Sequence, residues 1–549
     1  MEKETKFLDM LKSFPKRFVL GIYNFFKKML FGIGHFFRDI VLAGKNHPKS
    51  FISGLLSFFL MGLGQLRNKQ WYKAIPFFSV LLIFILFEIS TSNYIYAISG
   101  ELQDYPAVDG VLYFFRDYGG FITSGLWGFF TLGRVVLGDF YRGERIVTYD
   151  KVLTWKSADN SQVLLGEGII ALVLFAVLII TWIFSIKDAY QTHKNYVMIG
   201  KRENAREFYK RIWTDYFAYI IIIPASILIL MFTLIPFLFS FFVAFTNWTE
   251  RIALGQMVFK WTFFDTFKMV FTNAAWLKFF SDVLIWTLIY AFMSSVTVYI
   301  LGLIQALIIE SKYVIYKKFW RTILILPWAI PGLISLMLFR NVLADNGGLL
   351  NQILIQFDAV ESTKAFLSSL GLLNQTNPGN ILWLTSPENG SLAKVLVILV
   401  NLWLGYPYFM MLITGVLGTI PESLYEAAEI DGANAPQKFA YITLPMILKA
   451  TAPVIITTFT FNFNNFGAIY FLTSGGPGYP IDQIPESVRV LGAQPGQTDI
   501  LISWIYKLSF GSANDQYNLA SVYSILIFVF IGLAAIYNLS KLKSFWEED

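Results

Sequence analysis

Long apolar runs separated by short polar intervals dominate the chain. Eight of them, at roughly 74–95, 167–187, 216–245, 283–309, 320–343, 393–418, 446–467 and 519–540, are long enough to cross a hydrocarbon core of about 30 Å. The expected fold is all-α: a polytopic transmembrane helical bundle of about eight spans. Two further apolar stretches fall short of this pattern. "FISGLLSFFLMGL" (51–63) is too short to span and reads as re-entrant or interfacial. "GGFITSGLWGFFTLGRVVLG" (119–138) is Gly-rich and carries Arg134, which suits an outer-surface helix or a re-entrant segment. Upstream, Arg17, Asn24, Lys28, His35 and Asp39 recur with helical period against Phe, Leu and Ile. That narrow polar stripe predicts a helix along the inner membrane surface.

Charge decides orientation. The net charge of +6 is informative only once located. Thirteen Lys and Arg precede the first span, and Lys194, Lys201, Arg202, Arg206, Lys210 and Arg211 fill the loop 188–215. Lys312, Lys317 and Lys318 mark the link 310–320, whereas 344–392 holds only Lys364 and 468–518 only Arg489 and Lys507. The asymmetry places both termini in the cytoplasm of a multi-pass cell-membrane protein. No small-residue cleavage site follows the first apolar stretch, so no cleavable signal is expected. Three parts are anticipated: an N-terminal extension over 1–72, a two-span segment with an outer loop over 73–215, and a core over 216–545.

Between the sixth and seventh runs lies "EAAEIDGANAPQKFAYITLP" (426–445), acidic although the span count puts it on the cytoplasmic side. Thr419-Ile420-Pro421-Glu422 reads as a capping box with Thr419 as N-cap, and Pro421 suits a first turn. Gly432 can supply the left-handed residue that ends a helix. The predicted helix, 420–431, sets Leu424, Ala427 and Ala428 on one face and Glu422, Glu426 and Glu429 on another. It is too short and too charged to enter a bilayer. Pro445 is expected where the next span starts, since a missing N–H costs little there.

Other polar residues sit inside spans. Thr458, Asn462 and Asn465 recur at i, i+4 and i+7 on a Phe-rich segment, and an amide held in lipid needs a partner or a wet cavity. Asn offers a donor and an acceptor, which suits sugar hydroxyls, but interhelical Asn hydrogen bonding explains the pattern equally well. Trp403, Tyr406 and Tyr408 flank Gly405 on the sixth span and offer flat faces on which sugar rings can pack. Asn464 lies off the polar face and is assigned to packing. Pro327 and Pro331 in "LPWAIP" interrupt the fifth span, and irregular backbone at that depth is tolerated beside a cavity, which suggests a hinge.

Spacing adds a resemblance. Glu426-Ala427-Ala428, Gly432 and Ile442-x-Leu444-Pro445 resemble the EAA signature of ATP-binding-cassette importer permeases. With "IKDAY" (186–190), "ILPWAIPGLIS" (325–335), "LGYPYFMML" (404–412), "FTFNFNNF" (459–466) and "LTSGGP" (472–477), the chain is similar to the larger, eight-span membrane subunit of maltose and maltodextrin importers, the MalF type. The resemblance implies that 420–431 is a coupling helix docking on a separate ATPase, with Glu426 pairing to a basic residue there and Gly432 shaping the turn. It implies sugar contacts at Trp328, Gly405, Tyr408, Thr458, Asn462 and Asn465. It also implies a second permease subunit, two cytoplasmic ATPases and an extracytoplasmic sugar-binding protein as partners. Two departures stand out. The loop 246–282 is short where the enteric protein carries a folded insert, and the N-terminal extension is longer. The loops 96–166, 344–392 and 468–518 therefore become candidates for docking the binding protein.

Several chemistries are missing. No G-x-x-x-x-G-K-[ST] loop occurs, so ATP is expected to be used by partner subunits and no cofactor by this chain. His35, His47 and His193 form no metal-ligand pattern, and no G-x-S-x-G nucleophile is present. The chain contains no cysteine, which removes disulfides and thiolate metal sites. Basic clusters beside spans point to topology and anionic lipid rather than nucleic acid. The reading is a non-enzymatic permease of a carbohydrate importer, with maltose or maltodextrins as substrate. Its alternatives are a permease for another oligosaccharide or a polyol, a non-transporting scaffold or sensor, and an ATP-independent carrier.

Overall fold

A computed structural model describes residues 44–94, 115, 118–133, 160–249, 259–373, 379–386, 388, 390–484, 489, 494–511 and 515–541, with side chains of the last segment described to residue 532. The N-terminal stripe (Arg17, Asn24, Lys28, His35, Asp39) and Arg134 lie outside the described residues, as does most of the loop 96–166. Apart from one isolated bridge between Thr246 and Trp261, the described secondary structure is helical. The chain divides into two compact units, Met1–Phe239 and Ser240–Asp549.

The first unit contains α1 (Pro48–Phe59), α2 (Leu63–Arg67), α3 (Trp71–Thr91), α4 (Phe121–Phe130), α5 (Ser161–Ile199) and α6 (Ala205–Asp215). α1 rises about 18 Å at 1.5 Å per residue and cannot cross a bilayer. It ends at Phe59, Gly62 turns the chain at φ +93° to start α2, and both short helices lie against α5. Polar side chains make that contact. Gln65 donates to Ser185 O at 2.8 Å and to Asp188, Asn68 donates to Ala189 O at 2.8 Å, and Ser57 donates to Gln65. Lys73, on the first turn of α3, is buried between Asp188 (3.1 Å) and Glu203 (3.0 Å). At the other end of α3, Glu88 accepts from the backbone N–H groups of Gly120 and Ile122, and from the Thr123 hydroxyl. The carboxylate thereby neutralises the N-terminus of α4. α4 then packs on α5 through glycines: a Cβ at Gly125 would lie 2.9 Å from Ala171, and one at Gly168 would lie 2.5 Å from Phe129.

α7 (Phe217–Val243) is a long apolar helix that carries the boundary between the units. The second unit continues with α8 (Asp265–Thr272), α9 (Ala274–Glu310), α10 (Lys317–Ala329), α11 (Gly332–Val342), α12 (Leu349–Gln356), α13 (Val360–Ser369) and α14 (Ser391–Leu417). It closes with α15 (Glu422–Ile430), α16 (Ala435–Phe463), α17 (Phe466–Thr473), α18 (Leu501–Phe510) and α19 (Tyr517–Lys541). α9 is the central column. It meets α14 where a Cβ at Gly302 would sit 2.6 Å from Phe409 Cβ, and where one at Gly405 would sit 3.0 Å from Val298. Near its start, Trp276 stacks on Trp504, and Phe280 stacks on Tyr523, so α18 and α19 are locked to it.

Among the described residues, α3, α5, α7, α9, α14 and α16 are each long and apolar enough to span a membrane. The bent pair α10–α11 makes a seventh. The eighth expected span falls on the 25-residue α19. The fifth span is broken as its prolines suggest: Ile330 and Pro331 are extended, and the two halves meet at 84°. Two sequence expectations need correction. Thr419 caps no helix start; its hydroxyl donates to Val416 O at 2.8 Å, and α15 begins only after Pro421. A residue preceding proline disfavours helical backbone, so Ile420 cannot form the first turn. Pro445 likewise does not open its helix. α16 starts ten residues earlier, behind an Asn434–Gln437 capping box, and widens to a π-turn over Phe439–Thr443 just before the proline.

Two stability predictions follow from this packing. Lys73→Met removes the buried cation that bridges Asp188 and Glu203 and should destabilise the folded protein by about 3 kcal/mol, while Arg211→Met, which removes an exposed partner of the same Glu203, should cost less than about 1 kcal/mol. Gly302→Val should cost about 1–3 kcal/mol by forcing α9 and α14 apart. Thermal unfolding of the detergent-solubilised protein measures both.

Candidate functional site

A cavity of about 750 Å³ opens within the second unit, walled by α9, α10, α11, α14, α16 and α17. Trp328, Gly405, Tyr408, Thr458, Asn462 and Asn465 all line it, as do Pro327 and Pro331 at the break in the fifth span. Each helix contributes for a local reason. The α10–α11 break turns Trp328 toward α14, where its indole N–H donates to Leu404 O at 3.1 Å. Its ring stacks on Tyr408 with centroids 5.7 Å apart, giving two adjoining aromatic faces. Both rings are half exposed. Gly405, with Val298 against it, keeps α14 close to α9 on the cavity wall.

The amides form a chain of hydrogen bonds. Asn462 donates to Ser295 Oγ at 3.0 Å and accepts from Asn401 at 3.4 Å. Asn401 in turn accepts from Asn465 at 3.2 Å, and Asn465 Oδ1 accepts from Ala468 N at 3.2 Å as the N-cap of α17. Asn462 is nearly fully buried and Asn401 almost so. The interhelical bonding considered from sequence is therefore present, and the same amides also border the cavity. Thr458 lines it too, with its hydroxyl bonded back to Val454 O at 2.9 Å.

Sequence reasoning missed Asn401 and Ser295. Asn401, Gly405 and Tyr408 share the i, i+4, i+7 spacing that singled out Thr458, Asn462 and Asn465, so the signal was there for Asn401. Two of the three aromatics noted on α14 lie elsewhere: Trp403 packs on Phe339, and Tyr406 donates to Leu324 O at 3.0 Å. Asn464 is exposed and bonds to Thr460 O. None of the cavity's lining residues carries a charge. The lining offers amides, a hydroxyl and aromatic faces within apolar walls, so it can bind a neutral, polyhydroxylated molecule and carries no group for acid–base chemistry.

Glu426, Ala427 and Ala428 on α15, Gly432 just after it, and Leu444 and Pro445 within α16 do not line the cavity. None of the α15 residues is buried. Gly432 takes φ +77°; its N–H reaches Glu429 O at 3.0 Å and the Ala433 N–H reaches Ala428 O at 2.8 Å, a Schellman ending that requires left-handed backbone. Tyr425 and Thr443 share a 2.9 Å hydroxyl contact, and Glu429 pairs with Lys438, so α15 is fastened to the start of α16. The Lys438 ammonium holds the Glu429 carboxyl below the usual carboxylate range. Glu426 is exposed and pairs with no basic residue among the described residues. Leu444 is half-buried and Pro445 exposed.

Comparison with known proteins identifies the family. A model described as "binding-protein-dependent transport system inner membrane component" matches residues 298–542. The chain is 34% identical over 494 residues to the galactooligosaccharides transport system permease protein GanP of Bacillus subtilis (strain 168), covering 90% of this chain and 98% of that protein. It is 32% identical over 500 residues to the maltodextrin transport system permease protein MdxF of the same organism, covering 90% and 97%. To the maltose/maltodextrin transport system permease protein MalF of Vibrio cholerae serotype O1 it is 35% identical over 296 residues, 54% of this chain and 50% of that protein. Such permeases are multi-pass membrane proteins rather than enzymes and bind no cofactor of their own, ATP being used by partner ATPase subunits. The chain belongs to the binding-protein-dependent transport system inner membrane component family, as a carbohydrate permease of the MalF, MdxF and GanP kind.

Proposed function

We propose that this permease carries neutral oligosaccharides, and that the cavity bounded by Trp328, Tyr408 and the Ser295–Asn462–Asn401–Asn465 chain is where they bind. The observation that carries the reading is the absence of charge from the lining of a 750 Å³ chamber that still presents amides and paired aromatic rings. Sugars match it: their C–H faces pack on rings, and their hydroxyls both give and take hydrogen bonds. Maltodextrins are the first substrate reading, as the sequence resemblance implies. Galacto-oligosaccharides are the second, favoured by the 34% identity to GanP.

In this reading both termini face the cytoplasm, and 216–545 forms the permease core. The core pairs with a second permease subunit above two ATPases and receives sugar from an extracytoplasmic binding protein. α15 rests on an ATPase, with Glu426 free to meet a basic residue there. ATP can drive transport only if that contact differs between two states of the bundle. The Pro327–Pro331 break supplies a hinge beside the chamber.

Two experiments test the proposal. Uptake of labelled glucose-based and galactose-based trisaccharides into vesicles holding the whole transporter identifies the substrate; Asn462→Ala and Asn465→Ala should each lower it by about 10-fold or more, as loss of one or two buried hydrogen bonds requires. Robust uptake of a polyol with none of either trisaccharide would overturn the sugar assignment. Glu426→Ala should reduce ATP-driven uptake while leaving the assembled complex intact on size-exclusion chromatography. Unchanged uptake with an altered signalling output would point to a scaffold or sensor, and uptake that survives ATP depletion would point to an ATP-independent carrier.

A further inference from the structure

A second cavity, of about 230 Å³, lies further along the same helices, lined among others by Asp282, Trp286 and Ile289 of α9, Lys394 of α14, and Tyr479. Lys394 precedes Asn401 by seven residues on α14, and Trp286 precedes Val298 by twelve on α9. The two cavities are therefore about 10–18 Å apart along the helix axes. The chain leaving α17, which walls the large cavity, runs on into the segment that lines the small one.

Its chemistry differs from that of the large chamber. Asp282 is half-buried and has neither an ion-pair nor a side-chain hydrogen-bond partner among the described residues. Lys394 is half-buried in the first turn of α14, where the helix dipole disfavours a cation, and its ammonium rests 4.9 Å from the centre of the Trp286 ring. Asp499, by contrast, is fully engaged: it pairs with Lys507 at 2.7 Å and accepts from Gly496 N and Ser503. A carboxylate and an ammonium placed for stability would close on each other; here each borders open space. Burial pushes the Tyr479 phenol up, assisted by the Asp282 and Asp499 carboxylates, so it remains an O–H donor.

We propose that this small cavity is a saccharide-binding antechamber, which holds one sugar ring between the Asp282 carboxylate and the Lys394 ammonium while the oligosaccharide enters the larger chamber. The assignment rests on the carbohydrate-permease reading of that chamber. A hydroxylated ring donates to Asp282 and accepts from Lys394 without net charge. An anion meets Asp282, a cation meets Lys394, and a zwitterion would next enter a chamber with no charged group to receive it.

The absence of cysteine from the chain makes the test direct. Ile289→Cys places a single thiol in the antechamber and Thr457→Cys places one in the large chamber; maleimide labelling of this chain is followed in the whole transporter. A glucose-based or galactose-based trisaccharide at ten times its dissociation constant should slow labelling at both positions by about 10-fold. Adding Asp282→Asn and Lys394→Met should abolish protection at position 289 and leave it at position 457, which also shows that the variant is folded. Protection at 457 with none at 289 overturns the antechamber and leaves the permease reading standing. Protection at 289 that survives the double substitution overturns the role of the two charges. Protection at neither position overturns both readings.

Discussion

An amide inside an apolar bundle must find its hydrogen-bond partner within the protein, and the core of the second unit is arranged around that requirement. Ser295, Asn462, Asn401, Asn465 and the backbone of Ala468 satisfy one another in sequence, joining α9, α16, α14 and α17. Leaving any buried member unpaired would cost about 1–3 kcal/mol. The wall that carries this chain is thereby fixed. The facing wall, built from α10 and α11, is tied to α14 by the separate bonds of Trp328 and Tyr406 rather than by a connected amide chain, and it is broken at Ile330–Pro331. The cavity thus has a hydrogen-bonded polar wall on one side and an interrupted helix on the other.

The first unit meets the same requirement differently. Its polar groups are concentrated where α1 and α2 lie across α5, and Gln65, Asn68 and Lys73 reach acceptors more than one hundred residues away in sequence. Short helices that could not stand in a bilayer alone are held by those bonds rather than by apolar area. The Glu88 carboxylate does similar work for α4, taking up backbone N–H groups that the helix cannot satisfy itself.

Segment-scale features were legible in the sequence because they depend on composition over some twenty residues, as the spans do, or on proline, whose effect is local. The break at Pro327–Pro331 and the glycine ending of α15 belong to this class. The six residues expected at a substrate site came together because helical spacing alone put Thr458, Asn462 and Asn465 on one face, and the resemblance supplied the rest. What was misread depends on competition between neighbours. Thr419 had a nearby carbonyl at the end of α14, which won over the helix start after it. Trp403 and Tyr406 differ from Tyr408 only by rotation about the helix, and the face that Asn401 shares with Gly405 and Tyr408 is the one local sign of which side lines the chamber. The partners of Asn401 lie on other helices, more than sixty residues further along the chain, and spacing alone does not reveal them.

In α7 and in α16 alike, a π-turn closes two residues before a proline, at Leu230–Leu234 before Pro236 and at Phe439–Thr443 before Pro445. Each turn absorbs one extra residue without breaking the helix: Ile235 N bonds to Leu230 O, and Leu444 N to Phe439 O. In an α-helix one residue corresponds to about 100° of rotation. The π-turn in α16 therefore sets the phase between the α15 end of the helix and Asn462 near the other. Without that inserted residue Asn462 would be turned by about 100° away from Ser295 and Asn401 while the loop kept its place, so the register between α15 and the amide chain rests on a single helical defect.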